Sequence, residues 1–86
     1  MKKYDIVDYK NEDGVISPYE VLFTFHIKEE KVDCAVIFPK GGNGQTDLEI
    51  VTYKYENEKL ILGTPTGDFV WKRIDEEIEM YFQLYG

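Results

Sequence analysis

From Asp68 the hydrophobic period of this 86-residue chain changes from two to about 3.6, and few folds accommodate that order. Upstream, apolar and polar residues alternate in short runs; downstream, apolar residues recur at every third or fourth position. Alternation sends successive side chains to opposite sides of an extended strand, whereas the longer period lines them along one stripe of a helix. Strands are therefore expected first and a helix last, in class α+β.

A first strand is expected over 4–9, with Tyr4, Ile6 and Asp8 on one side and Asp5, Val7 and Tyr9 on the other. Asn11-Glu12-Asp13-Gly14 follows as a turn, its glycine free to take positive φ. The clearest strand covers 19–27, where Tyr19, Val21, Phe23, Phe25 and Ile27 fall on one face and Glu20, Leu22, Thr24, His26 and Lys28 on the other. After the turn Lys28-Glu29-Glu30-Lys31, the near-continuous apolar run 32–38 reads as a central strand covered on both faces. Pro39 lacks a donor and ends it. Lys40 to Asp47 is a glycine-rich loop, expected to be the most mobile segment. Alternation resumes over 48–56, turns at Glu56-Asn57-Glu58, and gives a short fifth strand over 59–62 before Gly63-Thr64-Pro65-Thr66-Gly67 breaks it.

The helix is predicted over 68–85, with Trp71, Ile74, Ile78, Tyr81, Phe82 and Tyr85 on its apolar stripe and Thr66 or Asp68 as N-cap. Lys72, Asp75, Glu76 and Glu79 then point to water. Lys72 with Glu76, and Arg73 with Glu76 or Glu77, are spaced to pair, each pair worth about 0.2–0.5 kcal/mol. Together these elements predict one domain over 1–86: a five-stranded, mainly antiparallel, meander-like sheet with one C-terminal amphipathic helix on its apolar face. The pattern leaves sheet order, and any curl toward a half-barrel, open.

Composition narrows the function classes. With 10 Lys and Arg against 17 Asp and Glu the net charge is −7, which repels phosphate; direct binding to nucleic acid or to an anionic membrane surface is disfavoured. Hydrophobic residues make up 43% and aromatics 15%, more than a disordered acidic segment carries. A lone cysteine, Cys34, excludes an internal disulfide framework and suits a reduced, buried thiol in the cytoplasm. Neither an apolar stretch of signal-peptide length nor one long enough to span a membrane is present.

Residues that carry chemistry are few. His26 has only Cys34 on the next strand as a reactive neighbour, with no diagnostic spacing, so it is expected to be structural or exposed. Cys34, in apolar surroundings, is expected to be inert core. Asn11-x-Asp13-Gly14 with Glu20 matches the later part of a calcium loop but lacks its first aspartate and its flanking helices. Gly41-Gly42-Asn43-Gly44 lacks the Gly-Lys-Ser or Gly-Lys-Thr of a phosphate loop and leads into a strand. No catalytic residue, metal ligand or cofactor is expected.

The remaining candidates concern partners. Carboxylates recur at Asp5 and Asp8, Glu12 and Asp13, Glu29 and Glu30, Glu56 and Glu58, and along Asp75-Glu76-Glu77-Glu79. They suit a non-enzymatic adaptor or regulator that binds another protein, with Asp75, Glu76 and Glu79, or Lys40 and Asn43 with the tyrosines Tyr53 and Tyr55, as contact residues. The alternative is a nucleic-acid mimic, in which carboxylates spaced like phosphates occupy the basic groove of a nucleic-acid-binding enzyme.

The order of motifs resembles the YrzB-like family of small acidic proteins of Gram-positive bacteria, a domain of unknown function. The similarity runs through the acidic turn Asn11-Glu12-Asp13-Gly14, the segment Tyr19-Glu20-Val21-Leu22-Phe23-Thr24-Phe25, Phe38-Pro39, Glu49-Ile50, and Asp68-x-x-Trp71-x-x-Ile74-Asp75-Glu76. This resemblance implies a cytoplasmic bacterial protein with no established activity and no catalytic residues to carry over.

Overall fold

A computed structural model describes residues Met1–Tyr85. The chain forms β1 (Ile6–Lys10), β2 (Ile16–Ile27), β3 (Val32–Pro39), β4 (Glu49–Glu56), β5 (Lys59–Gly63) and α1 (Asp68–Tyr85). The sheet order is β1-β2-β3-β4-β5, and every neighbouring pair is antiparallel. The expected α+β meander is therefore the fold, and it curls into a near-barrel.

Local chemistry explains the boundaries. β1 begins later than expected because Tyr4 takes φ 70° and donates its N–H to the Val21 carbonyl at 2.7 Å, in a turn closed from Asp5 N–H to the Lys2 carbonyl. Strand β2 starts earlier than expected and includes Pro18. The N and C=O of a strand residue face the same side, and the Pro18 carbonyl accepts from Lys40 N–H at 3.1 Å. Its missing donor thus falls where β3 has already ended. The β1–β2 turn is closed by Asn11, whose carboxamide oxygen accepts from Asp13 and Val15 N–H at 2.9 and 3.0 Å, with Gly14 at φ 81°. Asn57 and Glu58, at φ 50° and 68°, form the two-residue β4–β5 turn between paired Glu56 and Lys59.

One irregularity redirects β2. Its register to β3 shifts between Val21 and Phe23: Val21 faces Ile37, but Phe23 faces Val36. Leu22 is the extra residue of a β-bulge, and the faces exchange there. The expectation that Tyr19, Val21, Phe23, Phe25 and Ile27 share one face is thereby corrected. Tyr19 and Val21 turn to the concave side; Phe23, Phe25 and Ile27 turn to the convex side.

Each side has its own core. On the concave side Val7, Tyr19, Val21, Ala35, Ile37 and Val51 are buried, with Tyr9 of β1 and Leu60 and Leu62 of β5 packed against them. Strands from the two ends of the order thus contribute to one cluster, and the curl itself covers this face. On the convex side Ile27 and Cys34 are buried against Val70 and Ile74 of α1, joined by Phe25, Val32, Ile50 and Ile78. The helix accordingly covers the outer face and not the face that fills the barrel. Central strand β3 serves both cores, and Cys34 through Phe38 are all buried.

The helix has the expected span but a rotated stripe. Val70 and Ile74 are its buried residues, whereas Trp71 and Tyr85, expected on the apolar stripe, are exposed. Successive helical residues are about 100° apart, so seating Val70 and Ile74 at the sheet moves Trp71 to the flank.

Candidate functional site

Antiparallel register assembles a polar row that sequence spacing does not show. His26 of β2 lies opposite Asp33 of β3, which lies opposite Tyr53 of β4. His26 Nδ1 and Asp33 Oδ1 are 2.8 Å apart, with both side chains about half exposed. Burial pushes the Tyr53 phenol above its ordinary value, against a side-chain hydrogen bond with Thr24. An open cleft of about 460 Å³ at this end is lined by residues that include Lys31, Asp33, Thr52, Tyr53 and Lys54. Cys34, the expected reactive neighbour of His26, is opposite Phe25 on the other face. Burial, reinforced by the Asp33 charge, pushes its thiol up to about 11, so the nucleophilic thiolate is scarce at neutral pH. The row orients an imidazole and brings no activated nucleophile to it.

In the glycine-rich loop the polar groups serve the loop itself. Gly42 N–H donates to the Pro39 carbonyl at 2.7 Å, with Gly41 at φ 83°. Asn43 N–H donates to Asp47 Oδ2 at 3.1 Å, and Asn43 Oδ1 accepts from Gln45 N–H at 2.7 Å. The backbone donors that a phosphate would need at Gly42, Asn43 and Gln45 already have acceptors. Lys40 is exposed, whereas Asn43 is held by these bonds. Tyr53 and Tyr55 lie toward the far end of β4, about 13 and 20 Å beyond its loop end at 3.3 Å per residue. Tyr19, opposite Pro39, is the tyrosine that the fold brings beside it. Tyr53 packs on the concave core, and Tyr55 accepts a hydrogen bond from the Met1 amino group at 2.9 Å.

The acidic residues are dispersed. A meander places Glu12, Asp13 and Asp47 at one end of the sheet and Glu29, Glu30, Glu56 and Glu58 at the other. Asp75, Glu76 and Glu79 are exposed on α1. Arg73 reaches Glu76 at 2.9 Å and Glu77 at 3.2 Å, and the Glu76 hydrogen bond holds the guanidinium above its ordinary value. Of the two pairings expected for Glu76, the structure forms the one with Arg73.

Beside these carboxylates, the C-terminal half of α1 carries an apolar surface. Met80, Leu84 and Tyr85 are 52%, 69% and 73% exposed. Glu76, Met80 and Leu84 follow one another at a spacing of four, so acid and apolar groups share one flank. A shallow groove of about 150 Å³ lies between Phe23 and Glu77, Met80, Tyr81, Leu84 and Tyr85. Tyr81 stacks on Phe23 at 4.2 Å and 5°, fixing this end of the helix to the convex face.

At the edge of the groove, Lys3 Nζ lies 5.2, 5.5 and 5.7 Å from the ring centroids of Tyr4, Tyr81 and Tyr85. Sequence spacing does not reveal this cluster, because its members come from opposite ends of the chain. Its one local signal is the aromatic richness after Glu79. No family model, curated protein or solved structure matches the chain.

Proposed function

We propose that this chain is a non-enzymatic adaptor or regulator that binds another protein in the bacterial cytoplasm, with the exposed side of α1 as its contact surface. The observation that carries the reading is the adjacency of Met80, Leu84 and Tyr85, all exposed, to the carboxylates of the same helix. Apolar anchors supply the area that a partner desolvates, while surrounding charges steer association and reject unsuitable partners. The net charge of −7 favours a basic partner. The dispersal of the other carboxylates to two opposite ends of the sheet favours this reading over a phosphate-like array.

Affinity capture from the native cell, at low and at high salt, tests it. Wild type and a variant with Asp75, Glu76 and Glu79 reversed to lysine are compared, each with native circular dichroism. The expected result is a partner that the wild type retains and the variant loses. Capture indifferent to both the helix reversal and Leu84→Ala would refute the reading. A nucleic-acid-binding enzyme displaced by duplex DNA would instead make the chain a mimic.

A further inference from the structure

We propose that Tyr4, Tyr81 and Tyr85 form a receptor for a lysine side chain of a partner protein. In the free chain Lys3 occupies that receptor, and the groove beside Phe23, Met80 and Leu84 takes the apolar residue next to the incoming lysine. The inference rests on the reading of α1 as the contact surface and names the chemistry of what docks there.

Three observations carry it. First, the chain itself displays the ligand chemistry: an ammonium sits within 5.2–5.7 Å of three tyrosine rings, inside the range at which the negative ring face attracts a cation. Tyr81, and Tyr4 with it, raises the Lys3 pKa, so the site favours the charged form. Second, the occupant is held weakly. Lys3 is exposed and lies ahead of β1 on a short turn, where only its side chain has to swing away. Third, the cage shares Tyr81 and Tyr85 with the groove, whose other walls are largely apolar. A free amine would fill the cage alone, whereas a peptide carrying lysine beside leucine or methionine fills both. A second copy of this chain is disfavoured as the occupant, because two molecules of charge −7 repel each other.

The test uses the full chain and an N-acetylated, C-amidated amphipathic peptide of lysine and leucine, titrated at about 0.15 M salt and followed by calorimetry and by NMR shifts of the tyrosine rings. Lys3→Ala empties the cage and is expected to tighten binding about two- to fivefold, the factor of one exposed cation–π contact. Lys2→Ala makes the same change in net charge without emptying the cage, and its affinity is expected to match wild type. Tyr85→Ala and Leu84→Ala, both at well-exposed positions, are expected to weaken binding by a similar factor with circular dichroism unchanged. Acetylating the peptide lysines is expected to abolish the gain from Lys3→Ala.

Equal affinities for Lys3→Ala and Lys2→Ala would overturn the proposal, as would wild-type affinity in both Tyr85→Ala and Leu84→Ala. Either outcome alongside cellular capture that still depends on Asp75, Glu76 and Glu79 would refute the lysine receptor while leaving the adaptor reading intact.

Discussion

Glu58 shows at a single residue how this chain trades local strain for a tight hairpin. It sits at φ 68°, where a side chain crowds the following carbonyl, in a turn whose first central residue, Asn57, suits the left-handed region well. Glu58→Gly removes that conflict at the expense of a freer unfolded chain, and a net gain of about 0.5–1 kcal/mol in urea unfolding is expected. Cys34 offers a second residue-scale test. Its ordinary value of 9.0 rises to about 11 because burial opposes the thiolate. The folded state therefore holds the proton more tightly than the unfolded state. The resulting stability is complete below pH 9 and is lost as pH climbs toward about 11. Compared with Cys34→Ala, the wild type should lose roughly 2–3 kcal/mol over that interval, measured by urea unfolding at a series of pH values. From the sequence, His26 is expected to be structural or exposed. Its pairing with Asp33 is not legible there, because register across two strands, and not sequence distance, makes them neighbours.

Among the elements, β2 carries the most consequence, since its bulge lets one strand feed two cores. Deleting Leu22 would remove the bulge and leave Val21 opposite Ile37 and Phe23 opposite Val36 in a regular ladder, so Phe23, Phe25 and Ile27 would stay on the convex face with Val70 and Ile74. The expected outcome is amide protection across α1 that survives the deletion in hydrogen exchange and is reduced by Ile74→Ala. Ile74→Ala keeps the register and is expected to cost about 3 kcal/mol by urea unfolding, as for a fully buried isoleucine. The four hairpin connections and the helix span are readable from the chain because turn residues and the 3.6-residue period are local. The bulge is not. With apolar residues available to both faces of β2, an inserted residue leaves no break in the sequence pattern.

Taken as a whole, the molecule is held by two cores on opposite faces of one sheet, against the self-repulsion of a −7 surface. Raising salt from about 0.01 to 0.5 M screens that repulsion and should raise the midpoint of thermal unfolding by a few degrees; Arg73 with Glu76 and Glu77 opposes this only locally. Partner binding should move the other way and weaken as salt rises. Helix α1 and its exposed carboxylates Asp75, Glu76 and Glu79 are legible in the helical period alone. The tyrosine cage is not, for it joins Lys3 and Tyr4 to the last turn of α1. By itself the sequence determined the class, the succession of five strands and a helix, and the chemistry of the turns, because these depend on neighbours a few residues apart. Tertiary structure alone decided which face each half of β2 serves, that the sheet curls into a near-barrel, and that the helix covers the outer side. Those outcomes follow from register, twist and docking angle, which depend on contacts between residues distant along the chain.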